Sequence, residues 1–241
     1  MKTLLIGCEV VKAEVEAAIA ETGADVDTLY VDQGLHSVGS AKMPQELQKV
    51  IDSVDQSAYS AILLFYGLCN NGIVGLKASI PMVIPRGHDC ITFFMGSKER
   101  YREYFDSHPG VSFWGSGWNE DLFREQDFEF IDMRAKFAED FGEDNADYLM
   151  EVLGNPMKNY RSMVFVNTGT GDVERYRSSA KRICRENSWE YDEYIGDRRI
   201  FLNALAGDWH ENDFLVLQPS ETVLPSFDEF IIKASSAQPL P

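Results

Sequence analysis

The sequence predicts an α/β fold: two Rossmann-like lobes built on parallel sheets, with a helical insert between them. Three observations predict it. Short apolar runs alternate with segments of helical spacing, the pattern of successive βαβ units. The run AILLFYGLC (61–69) lacks the alternation of a half-exposed strand, so it reads as buried on both faces. The rhythm stops over residues 119–159, which are rich in acidic side chains, and resumes after them.

In order, TLLIGC (3–8) reads as a strand and VKAEVEAAIAET (11–22) as a helix stopped by Gly23. TLYVD (28–32) is a second strand. Pro44 opens a helix with Leu47, Val50, Ile51 and Val54 on one face. Residues 61–69 and 81–85 give two more strands, residues 91–110 one helix, and residues 111–118 a short fifth strand. Two acidic helices are expected over 119–142 and 143–154. Beyond them lie a strand (161–169), a helix (171–188), a strand (189–196), a helix (198–207) and a strand (213–219). The tail from Pro225 reads as surface-bound. These readings divide the chain into an N-terminal lobe (1–118), the acidic insert (119–159) and a C-terminal lobe (160–241).

Composition narrows the function. A net charge of −17 repels phosphate backbones and anionic membrane surfaces, which argues against nucleic acid and membrane partners. No run reaches the roughly 20 apolar residues of a membrane span. The start turns acidic too soon for a signal peptide, so a cytoplasmic protein with reduced thiols is expected. Four cysteines then leave metal binding, catalysis or burial rather than a disulfide framework.

Three of the four cysteines stand where predicted parallel strands end: Cys8, Cys69 and Cys90. Ligands of open α/β sheets bind at that edge. Thiolates there suit zinc or an iron–sulfur cluster, with His36 or His88 as a further ligand. No CxxC, HExxH or ferredoxin run is present, so any such site is assembled from distant segments. Burial as small hydrophobic groups is the competing reading, and it is the one adopted for Cys184, inside a helical segment.

PRGHDCITFF is dense in polar function. Helix amides with Arg86 could hold an anion, and a helix N-terminus lowers a thiol pKa, which would make Cys90 a nucleophile aided by His88. Asp89 is expected to cap the helix in either case. Asn70 and Gly72 follow Cys69 in a tight turn that a ligand could approach. Trp118, with Trp114, could line a pocket for a flat ligand or fill a lobe interface. NTGTGD (167–172) could cradle a phosphate but matches no nucleotide motif, and Asp172 doubles as a helix cap.

YGLCNNGIVGL, PRGHDCITFFMGSKERY, the SGW segment, GLH at 34–36 and GDRRIFLNALAGDWHENDFLVLQP together resemble the domain-of-unknown-function 1638 family. The resemblance runs from about Cys8 to Pro219 and is weakest over the acidic insert. It implies no settled activity. It implies partners among corrinoid or methyltransferase proteins of anaerobic methyl transfer. The DxHxxG pattern of cobalamin binders is absent, which argues against direct corrinoid binding. Three functions follow: a metal-binding protein acting with such a system, a metal-free enzyme or small-molecule binder using Cys90, or an accessory protein docking on a methyltransferase through its acidic insert.

Overall fold

The structure, a computed structural model, describes residues 2–38, 42–69, 71–118, 134, 137–139, 141–153, 159–219 and 221–235, leaving out the side chains of residues 36–38 and 151–153. It is a mixed α/β fold on two main sheets and one small two-stranded sheet.

The first sheet has the order β2-β1-β3-β4-β8. Strands β1 (Thr3–Cys8), β2 (Val26–Val31), β3 (Ile62–Phe65) and β4 (Met82–Pro85) run parallel. Strand β8 (Phe214–Leu217) closes the far edge antiparallel to β4. Every residue of β3 and β4 is buried, as their unbroken apolar runs require. From β1 the chain steps to β2 on one side and then returns to β3 on the other. That reversal makes a topological switch point at the carboxyl ends of β1 and β3, the place where sheets of this class take their ligands.

Helix α1 (Lys12–Thr22) follows β1 through one 3-10 turn, Glu9–Val11. It stops at Gly23, whose φ of 66° suits a residue without Cβ. Helix α2 (Met43–Ser53) buries Met43, Leu47 and Ile51. The single helix expected over 91–110 is two: α3 (Cys90–Met95) and α4 (Lys98–Ser107). Gly96 breaks it with a φ of 86°, and Ser97 Oγ then accepts from the Arg100 N–H at 3.2 Å to cap α4.

The second sheet is parallel, in the order β5-β6-β7: β5 (Val111–Trp114), β6 (Ser162–Asn167) and β7 (Glu190–Ile195). Helix α6 (Val173–Asn187) joins β6 to β7, capped by Asp172 at 3.0 Å as expected, and α7 (Arg199–Ala206) follows. Between the sheets in sequence, α5 (Glu143–Leu153) matches the second acidic helix. The first expected acidic helix falls largely outside the described residues.

Strand pairing crosses the boundaries expected at residues 118 and 160. Strand β5 belongs to the second sheet and β8 returns to the first. An apolar run announces a strand but not its neighbour. The tail is not wholly surface-bound: β9 (Val223–Pro225) and β10 (Ile232–Ala234) form a hairpin, with Val223, Ile231 and Ile232 buried.

A large core surrounds the first sheet, where Phe65 stacks on Phe201 at 5.1 Å. A smaller core around Trp114 and Phe165 contains Cys184, which is packing as its helix spacing predicts. Trp118 packs against both. Among the described residues, no helix is long and apolar enough to cross a membrane.

Candidate functional site at the switch point

Cys8 is the last residue of β1. The β1–β3 register ends at Gly7 opposite Phe65, so the next pair along is Cys8 and Tyr66. Beyond Tyr66 the chain stays beside the segment that follows β4. The Leu68 N–H donates to the Gly87 carbonyl at 2.8 Å, and the Cys69 N–H to the His88 carbonyl at 2.8 Å. Gly67 makes that approach possible, because a Cβ there would lie 2.6 Å from Asp89 Cα. Cys90 then opens α3. The ends of three adjacent parallel strands thus bring Cys8, Cys69 and Cys90 near enough to Tyr66 for each to act on its hydroxyl; a charge on Cys8 is felt at Cys69, and charges on Cys8 and Cys69 are felt at Cys90.

Cys69 takes a φ of 43°, in the left-handed region that side chains seldom enter. Such strain persists where surroundings over-determine it, often at functional positions. As residues, Cys69 and Cys90 are half-buried. Their sulfurs are the enclosed part, since burial dominates the titration of both.

Electrostatics keep the protons on. Burial pushes the Cys8 thiol up to about 11, against a weaker pull from the Val10 backbone. Burial, then the Asp89 carboxyl, raises Cys69 and Cys90. The thiol lowering expected for Cys90 at a helix N-terminus is therefore reversed: α3 is short and desolvation with Asp89 outweighs it. Burial also raises Asp89, opposed by the Tyr101 hydroxyl, which donates at 3.0 Å, and by the Thr92 N–H, which donates at 3.3 Å. Asp89 caps α3, as expected.

The other expected site residues lie as follows. His88 is exposed, and its contribution is the carbonyl that holds Cys69. His36 lies in the turn Gln33–Val38 after β2, with its side chain outside the described residues, and Asn70 is also outside them. Gly72 is buried, and a Cβ there would run into the Met43 thioether, so its smallness serves packing. Arg86 does not point its donors at an anion. Its Nε donates to the Glu211 carbonyl at 2.7 Å, its Nη1 to those of Phe230 (3.0 Å) and Ile232, and its plane lies 4.8 Å from the Phe230 ring. Trp118 sits 5.9 Å from Trp114, and its Nε1 is buried without a partner. Among the described residues, no three or more His, Cys, Asp or Glu side chains are arranged around the position of one metal ion.

Sequence reasoning missed Tyr66, Gly67 and Glu14. Glu14 is fully buried where α1 meets the second sheet. Its Oε1 accepts from the hydroxyls of Thr168 and Thr170, each at 2.6 Å, and from Ser116. Its Oε2 is buried with no partner, and burial raises its pKa. The NTGTGD turn thus gives its threonine hydroxyls to a carboxyl, not to a phosphate. A signal was present: Glu14 falls on the stripe of Val11, Val15 and Ala18.

Fold and site together define an α/β protein of one mixed and one parallel sheet, with three enclosed thiols at a topological switch point. The chain belongs to the family described as Protein of unknown function (DUF1638), whose model matches residues 30–205. The match covers Cys69 and Cys90 and begins after Cys8. No curated protein and no solved structure matches the chain.

Proposed function

We propose that this chain is a metalloprotein that carries an iron–sulfur centre on Cys8, Cys69 and Cys90. The observation that carries the reading is the arrival of three thiols, from three successive strand ends, around one buried tyrosine. Sulfur donors favour zinc, copper or iron–sulfur centres over hard cations. The Cys69 and Cys8 charges both reach Cys90, so the thiols share one neighbourhood, and a cluster, being several ångströms across, spans ligands set further apart than those of a zinc ion. Three thiolates also leave one iron of a four-iron cluster for a further ligand, which gives the centre a place to bind substrate.

The raised thiol pKa values belong to the same reading. Ligation displaces the protons, so metal affinity increases with pH. They weigh against the metal-free alternative, because a nucleophilic Cys90 requires a thiolate near neutral pH and its surroundings oppose one.

The test is anaerobic loading of the full chain with ferrous iron and sulfide, followed by desalting and assay of both elements. The reading expects several irons and a matching number of sulfides per chain, lost in Cys69→Ala. Retention of neither, or equal retention by a Cys8→Ala/Cys69→Ala/Cys90→Ala variant, overturns it. Uptake of one zinc and no iron would replace the cluster by a mononuclear thiolate site.

A further inference from the structure

We propose that Glu14 is a proton-operated latch between the two main sheets: as a neutral acid it clasps the turns that follow β5 and β6 onto α1, and loss of its proton releases them. The latch requires no metal at the cysteines.

Glu14 Oε1, Thr168 Oγ1 and Thr170 Oγ1 form a closed triangle with sides of 2.6, 2.6 and 2.7 Å. Each side is a hydrogen-bond distance and needs one proton between its oxygens. A hydroxyl carries one proton, so the two threonines supply two. The Ser116 hydroxyl fills its own contact to Oε1 and adds none to the triangle. An ionised carboxylate would leave one pair of oxygens face to face with nothing between them. A carboxylic acid brings the third proton and closes the ring.

Burial agrees with this count. Glu14 is fully buried, and Ser116 and Thr170 are nearly so. Its Oε2 is buried without a partner, which a neutral acid bears at less cost than a charge. Burial favours the neutral form against the hydroxyls and the Glu14 N–H. The charged groups around the junction have other partners. Lys12 and Glu16 pair at 3.8 Å on the exposed part of α1, and Glu21 holds Arg198 at 2.8 Å. Arg199 of α7 holds Asp213 at 3.1 Å, Glu174 of α6 holds Arg177, and Asp172 caps α6. Residues 115–118 carry no charge.

Helix α1 packs into the core of the first sheet through Val15 and Ala18. Ser116, Thr168 and Thr170 stand just past the ends of β5 and β6 in the second. The carboxyl therefore ties one sheet to the other. Both turns lie close against the first: a Cβ at Gly171 would stand 3.6 Å from Ala13 Cβ, and one at Gly117 would stand 2.6 Å from the Val10 carbonyl oxygen. Val10 belongs to the 3-10 turn directly after Cys8, so the latched turns cover the chain where it leaves β1.

The experiment is hydrogen exchange of the metal-free full chain, wild type beside Glu14→Gln, across a range of pH. The glutamine amide donates in place of the acid proton at every pH, so the variant stays latched. The ratio of wild-type to variant exchange removes the ordinary effect of pH on amides. Over residues 115–118 and 168–172 this ratio is expected to be flat below about 4.5 and to rise above it by about tenfold per pH unit, the signature of one proton, until the raised folded value is passed. The turns are also expected to exchange at least about tenfold faster than the amides of β3, which marks a local opening. A ratio independent of pH overturns the latch. Turns that exchange only as fast as β3 also overturn it, because they would then open only with the whole fold. A Glu14→Gln chain that does not fold would contradict it as well, since the amide reproduces the neutral acid.

Discussion

The Cys69 N–H donates to the His88 carbonyl oxygen at 2.8 Å, and this bond joins the segments after β3 and β4 beyond the ends of the strands themselves. With the Leu68–Gly87 bond, it continues the parallel pairing into the site and fixes the backbone of Cys69 beside His88, two residues before Cys90. His88 serves the site through its carbonyl and leaves its imidazole exposed.

This joint depends on Gly67. A methyl at that position would lie 2.6 Å from Asp89 Cα and 2.8 Å from its N and C, and backbone cannot yield as a flexible side chain does. We predict that Gly67→Ala destabilises the fold by about 1–3 kcal/mol, the usual scale of overpacking, and halves metal uptake or worse. Denaturant titration beside an iron assay checks both. A neutral substitution would mean that the two segments are not in contact.

Thiol chemistry gives a second prediction. With Cys8 at about 11 and Cys69 and Cys90 also raised, little thiolate exists near neutral pH. In the folded, metal-free protein all three are expected to react with iodoacetamide at least about tenfold more slowly than in the unfolded chain. Mass spectrometry of timed samples measures this site by site. Rapid, selective labelling of Cys90 would favour the nucleophile reading instead.

Arg86 ties β4 to the carboxyl-terminal hairpin by donating to the carbonyls of Glu211, Phe230 and Ile232. The residue between the last two, Ile231, is β-branched and has a φ of 67°, a conformation that needs such external support. Arg86→Ala is expected to destabilise the protein by about 3 kcal/mol, since charge-assisted bonds are lost and carbonyls are left buried. Limited proteolysis should then cut first near residues 226–235. A loss below about 1 kcal/mol with an intact hairpin would contradict this.

Glu14 gives a pH dependence of known sign. Its folded pKa is raised above the ordinary 4.5 by burial, outweighing the hydroxyls of Ser116, Thr168 and Thr170. The folded state therefore holds this proton more tightly than the unfolded chain does. Stability is greatest below about 4.5 and declines as pH rises from there through the raised folded value. Glu14→Gln is expected to remove this component, so its stability relative to wild type should improve with pH. Unfolding free energies at several pH values decide it, and parallel pH curves would refute the assignment.

Much of the scaffold was legible because it is local. Unbroken apolar runs marked β1, β3 and β4; Gly23 marked a helix end; Asp89 and Asp172 marked helix starts. The Gly96–Ser97 pair carried the signal for the break between α3 and α4, a C-terminal glycine followed by a capping serine, but its surrounding helical spacing concealed it. Strand partners were not legible: that β8 returns antiparallel to β4 depends on long-range packing. At the site, position at strand ends singled out Cys8, Cys69 and Cys90. Tyr66 reads in sequence as one more residue of a buried run, and its meaning comes from the cysteines that three separated segments bring beside it. Arg86 shows the converse, because a cation next to a helix start reads as an anion partner until its distant carbonyls are known.

The central claim is that Cys8, Cys69 and Cys90 share one occupant. Anomalous diffraction at the iron absorption edge, from crystals of the anaerobically loaded full chain, tests it most directly. The account predicts one multi-iron peak bounded by the three sulfurs and adjoining the Tyr66 hydroxyl. An absence of iron density there, or density held by other residues while the three sulfurs remain unligated, would contradict it.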